Sequence, residues 1–155
     1  MEKAKAAATA SKAAAARTAS SAATARTVLQ LVAASNHRVK VPEWGVSFDG
    51  ASNTAVPVLV ELVRQSSAGS GSGAITLSKA DESTDETLQT TSIDGCTSEP
   101  TGTEVVHAEL VHPQAGYTWQ SQFGGELLIK GGTRLGIRCT APAGVNVKAR
   151  FTLEE

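Results

Sequence analysis

The chain has 155 residues, of which 41% are hydrophobic, 19% charged and only 4% aromatic, and its formal net charge is −1. That length suits one compact domain of roughly 100–200 residues, and the composition excludes a strongly charged disordered protein. No run of about 18 large apolar residues occurs, so no membrane-spanning helix is expected. Two cysteines, Cys96 and Cys139, do not make a disulfide framework and read as reduced thiols.

Residues 1–27 differ from the rest. They hold 13 alanines and almost no larger apolar side chain, and Lys3, Lys5, Lys12, Arg17 and Arg26 face a single acid, Glu2. The segment therefore carries +4 and residues 28–155 carry −5. Alanine favours helix, yet no face of the segment carries the Leu, Ile or Phe that would anchor a helix to a core. We therefore read residues 1–27 as an arm, helical or extended, that becomes ordered against a partner surface, and residues 28–155 as the folded domain. The cations interrupt every window that a signal peptide would need. Five cations spread over 27 residues, with no aromatic to stack on a base, favour a protein surface over nucleic acid as the partner.

Beyond Val28 the apolar pattern has a period of two, the mark of strands with one buried face. Val39 and Val41 alternate in one parity and Trp44, Val46 and Phe48 in the other, which predicts a bulge near Pro42. Val58, Val60 and Leu62 follow, and then a flexible Ser66–Gly73 connection. After the acidic stretch Asp81–Glu86 and the segment Asp94–Thr103, Val106, Ala108 and Leu110 predict another inward face. Gly131-Gly132 predicts a two-residue hairpin turn, and Pro142–Gly144 a second turn, making residues 126–154 a three-stranded meander. The final strand is the cleanest, with Val145, Val147, Ala149, Phe151 and Leu153 on one side. About eight strands at short spacing predict an all-β, antiparallel β-sandwich or jelly-roll-like body.

No catalytic constellation stands out. Gly45–Asp49 lacks the closing glycine of a nucleophile elbow, and Gly69, Gly71 and Gly73 are not followed by the lysine of a phosphate loop. His107 and His112, five apart, fall on opposite faces of a strand and cannot chelate together unless the chain bends at Pro113. Asp81, Glu82, Asp85 and Glu86 lack the central glycine of a calcium loop. We thus expect no catalytic residue, cofactor or metal. Trp44, Phe48, Tyr117 and Trp119 are expected to serve as core or subunit-contact anchors. Exposure of Trp44, Tyr117 or Trp119 on one patch would instead suit sugar rings.

The stretches Glu43–Gly50, Pro57–Leu62, Gly131–Arg138 and Val145–Glu155 together resemble the small decoration, or cement, proteins of tailed-bacteriophage heads. The resemblance spans roughly residues 28–155 and lies in strand pattern and turn spacing. It implies a non-enzymatic virion protein made in the host cytoplasm, seated on the outer capsid surface as a homotrimer. The major capsid protein would be its partner, reached by the arm residues Lys3, Lys5, Lys12, Arg17 and Arg26. A receptor- or glycan-binding module and another head or tail component are the competing expectations.

Overall fold

The computed structural model describes residues 7–12, 24–49, 56–70, 73–80, 83, 85, 87–142 and 144–155. Among these there is no helix, and the strands in chain order are β1 (Ala7–Lys12), β2 (Arg26–Val32), β3 (Val39–Phe48), β4 (Val58–Gln65), β5 (Gly73–Ile75), β6 (Ser78–Lys79), β7 (Thr91–Asp94), β8 (Gly102–Val111), β9 (Gly116–Gln120), β10 (Leu127–Ile129), β11 (Arg134–Thr140) and β12 (Val147–Glu154). Twelve strands replace the expected eight or so because β5, β6 and β10, of two or three residues each, are too short to show a period. All pairings between them are antiparallel.

The first sheet runs β10-β3-β12-β1-β6, with β9 also on β3; the second runs β5-β7-β2-β11-β4-β8. Their inner faces share one core. Val39, Val41, Trp44, Val46, Ile129, Ala149, Phe151 and Leu153 come from the first sheet, and Leu29, Leu31, Val60, Leu62, Leu135 and Ile137 from the second. The all-β sandwich predicted from alternation is therefore the observed fold, and β12 buries every second residue from Val147 to Leu153 as its pattern requires.

The bulge near Pro42 is present. Thr152 lies opposite Glu43 and Glu154 opposite Lys40, so β3 spends one residue more than β12 over this interval. That extra residue flips the parity, which lets Val41 and Trp44 both face the core.

Two expectations are overturned. Gly131-Gly132 does not close a hairpin, because β10 pairs with β3 in the first sheet while β11 pairs with β2 and β4 in the second. Only Gly132 has a positive φ, 77°, whereas the two-residue turn that matches strand twist needs positive φ at both central residues. The turn, closed by Thr133 N–H donating to the Lys130 carbonyl at 3.1 Å, instead carries the chain from one sheet to the other. The meander fails for the same reason, since β12 returns to the first sheet.

From His107 to Val111 the inward face of β8 is the opposite of the predicted one, whereas Val106, at a register shift, packs against the core as predicted. Val111, Glu109 and His107 stand opposite Val58, Val60 and Leu62 and share their core-side parity, while Leu110 points outward. β8 ends the second sheet, so its inner face is only half covered and tolerates polar residues that a central strand would not.

The arm expected at residues 1–27 is described in two parts. Residues 7–12 form β1, antiparallel to β12 from Ala7↔Glu154 to Lys12↔Ala149. Arg26 and Thr27 belong to β2 in the other sheet.

Candidate functional site

Of the five predicted arm cations, Lys3, Lys5 and Arg17 lie outside the described residues. Lys12 ends β1, and Arg26 begins β2 with its side chain exposed. The aromatic anchors converge. Trp44 on β3 is fully buried and lies opposite Trp119 of β9, with Val46 opposite Tyr117. Phe48, Tyr117 and Trp119 are half-buried and pack against the same core. Trp44 is therefore a core residue and is not available as a platform for a sugar ring.

One aromatic group closes an edge of the sandwich, where β8 of the second sheet meets β9 of the first. The Tyr117 ring lies 5.5 Å from Trp44 and stacks on His107 at 5.7 Å, and His107 meets Trp44 edge-on at 5.6 Å. Tyr117 Oη and His107 Nε2 share a hydrogen bond of 2.8 Å, and Glu109 stands 3.5 Å from the same nitrogen. Burial, reinforced by the Glu109 carboxylate, pushes the Tyr117 phenol above its ordinary pKa, so it keeps its proton.

Several large apolar side chains on or near these strands are exposed, among them Leu110, which its alternation had predicted to face inward. Val105 and Leu110 lie on β8, Leu128 on β10, and Val56 just ahead of β4, the neighbour of β8. Phe123 is the extreme case, at 104% relative exposure. It sits in a loop between β9 and β10, both of which pair with β3, and the turn is closed by Gly125 N–H donating to the Gln122 carbonyl at 2.8 Å. The flanking glycines were its only signal in the sequence, and glycines mark many loops that present nothing.

A second cluster lies on the outer face of the second sheet, beneath the loops 66–70 and 95–101. Between Ile137↔Leu29 and Arg138↔Thr27 the register shifts, so Val28 is bulged and Thr27 joins Gln30 on the outer face. Gln65 reaches them from β4 across β11, where Gly136 leaves room: a Cβ at that position would run into the Gln65 amide. Thr27, Gln30 and Gln65 are all buried. Gln30 Nε2 donates to Gln65 Oε1 at 2.7 Å and to the Ser67 carbonyl at 3.0 Å, while Gln65 Nε2 donates to Thr27 Oγ1 at 2.8 Å. Thr27 Oγ1 in turn donates to Glu99 Oε1 at 2.7 Å. Nearby, Arg138 and Glu61 pair at 2.9 Å on the same face.

Both cysteines are buried and unpaired with each other. Desolvation pushes the Cys139 thiol up to about 12 and the Cys96 thiol up to about 11, the latter helped by Glu99 and Asp94, so neither is a ready thiolate. Among the described residues no group of His, Cys, Asp and Glu could hold a metal ion.

No protein family, curated protein or solved structure matches this chain.

Proposed function

We propose that the protein is a non-enzymatic decoration, or cement, protein that binds the outer surface of a tailed-phage head and stabilises it, as a homotrimer contacting the major capsid protein. The observation that carries this reading is the charge division: a +4, alanine-rich segment is joined to a −5 sandwich. The segment's small side chains let its backbone approach a partner closely, and its cations pair with carboxylates there. Each such exposed pair contributes about 0–1 kcal/mol, so useful affinity comes from several arms engaging at once on one trimer. Val105 and Leu110, exposed on the outer face of β8, are apolar side chains that association of copies would cover.

The test is co-sedimentation with undecorated heads, together with the melting temperature of those heads. The full chain is expected to bind saturably and to raise the melting temperature; failure of either sinks the proposed role. A chain with Lys3, Lys5 and Arg17 replaced by Ala keeps β1 (Ala7–Lys12) and β2 (Arg26–Val32) unaltered and is expected to lose binding. Binding of that chain at full affinity would instead remove the arm from the interface. Six-fold rather than three-fold occupancy would point to a head–tail component.

A further inference from the structure

Five large apolar side chains are exposed among the described residues, and they form two groups of different shape: Phe123 and Leu128 beside β9 and β10, and Val105 and Leu110 on β8 with Val56 just ahead of the adjoining β4. We infer that the two groups fit each other between copies, head to tail: the Phe123 loop of one copy seats on the outer face of β4 and β8 of the next, and three such contacts close a ring. The inference rests on the homotrimer reading above and gives it an interface.

The first group projects from an edge of the first sheet. β9 and β10 pair with successive parts of β3 on the side away from β12, β10 with residues 39–41 and β9 with residues 43–47. Residues 121–126, which join them, therefore lie along that edge, tied at one end by Ser121 N–H donating to the Pro42 carbonyl at 2.8 Å. Phe123 is wholly exposed on this turn, and Gly124, at a φ of 83°, and Gly125 place no side chain beside the ring to screen it. Leu128 faces outward on β10 opposite Lys40, and Lys130 follows two residues on, so the projection has a basic flank.

The second group is flat. Leu110 lies opposite Leu59, and the register shift between Leu62 and Val63 brings Val105 opposite Val63, so two residues of opposite parity reach one outer face. Leu110 is 66% and Val105 48% exposed. The charges that interrupt this face, Arg138 and Glu61, already pair with each other at 2.9 Å, so covering them strands neither ion. β8 carries Glu104 and Glu109 and no lysine or arginine, which complements the basic flank beside Leu128.

Both groups border the same opening between the sheets. There His107 of β8 bonds to Tyr117 of β9, and Arg64 of β4 donates to the Leu128 carbonyl of β10 at 3.2 Å. One group projects off the edge and the other looks out from the adjoining face, and Phe123, being wholly exposed, does not reach the flat group of its own copy. An interface made from two different patches is heterologous, each copy offering its projection to one neighbour and its flat face to the other. Because the patches adjoin at a corner, each contact turns the next copy sharply, and a small ring closes in place of a filament. The ring covers both patches on every copy, whereas a contact with one foreign partner would leave the other patch in water.

The experiment uses the purified full-length chain. Native mass measurement is expected to give a trimer for the wild type. Phe123→Asp and Leu110→Asp should each weaken association by about tenfold or more and give monomers; both side chains are exposed, so circular dichroism should stay that of the wild type. Head-to-tail seating is read by placing a benzophenone amino acid at position 123 and mixing isotope-labelled with unlabelled chains before irradiation. The expected cross-link joins position 123 of one chain to residues 105–110 of another. A wild-type monomer or dimer, a trimeric Phe123→Asp chain, or a cross-link between two 121–126 loops overturns the inference. The two readings fail separately: rings cross-linked as expected that do not bind heads remove the cement role alone, and saturable binding to heads by a chain without this cross-link removes the interface alone.

Discussion

Replacing Gly136 by alanine tests the packing over β11 most directly. The new methyl group would occupy the space now filled by the Gln65 amide. Gln65 ends a flexible side chain, so the collision itself is relieved by a rotamer change. The cost is the loss of two buried hydrogen bonds, from Gln30 Nε2 to Gln65 Oε1 and from Gln65 Nε2 to Thr27 Oγ1. Gln30 keeps the Ser67 carbonyl and Thr27 keeps Glu99, so neither is stranded. The penalty falls mainly on the Gln65 amide, which is 3% exposed and must find new partners. A buried polar group deprived of its partners costs about 1–3 kcal/mol, and we take about 2 kcal/mol. For a domain of this size that corresponds to a fall in Tm of about 4–8 °C. Differential scanning calorimetry of the two chains measures it, with urea unfolding as a check that the slope is unchanged. A Gly136→Ala protein that melts within a degree or so of wild type would refute the assignment of Gly136 as the clearance for Gln65.

Two further outcomes are expected. Phe151→Ala removes a wholly buried ring from the middle of β12, opposite Trp44, and should cost about 3–5 kcal/mol in urea unfolding; a loss below about 1 kcal/mol would place the core elsewhere. Alkaline stability follows from the thiols. Burial holds the folded-state pKa of Cys139 at about 12 and that of Cys96 at about 11, both above the ordinary thiol value of 9.0. Above pH 9 the unfolded chain therefore releases protons that the native chain retains, and stability falls as pH rises from about 9 towards 11 and 12. Cys139→Ala should flatten the dependence of Tm on pH in that window after allowing for its own offset. An unchanged slope would show that the thiol does not contribute.

Local patterns were legible in the sequence wherever one residue's neighbours decide its orientation. The alternation in β4 and β12 and the parity flip at Pro42 all recur in the structure, because pleating turns successive side chains to opposite faces whatever the strand pairs with. Alternation was misleading on β8, where both parities are partly apolar. There the inner face is set by the register with β4, which no window of β8 contains. The aromatic anchors were recognisable as such because large rings are seldom left in water. Their grouping with His107 and Glu109 depends on how two edge strands from different sheets meet. Phe123 was missed because an exposed ring has no local periodicity.

By itself, the sequence determined that this protein is built of strands, that its core lies on one face of most of them, and that its first 27 residues oppose the rest in charge and contribute little apolar bulk. These follow from pleat geometry and composition, which act over a few residues. Tertiary structure alone decided which strands pair, and so turned Gly131-Gly132 into a crossing between sheets. It also brought Thr27, Gln30, Gln65 and Glu99 together, although Thr27 and Glu99 are 72 positions apart. The physical reason is that strand partners are chosen by long-range hydrogen bonding and shared burial. A side chain such as Gln65, polar and unremarkable in its own segment, acquires its chemistry only from what β11 and β2 place beside it.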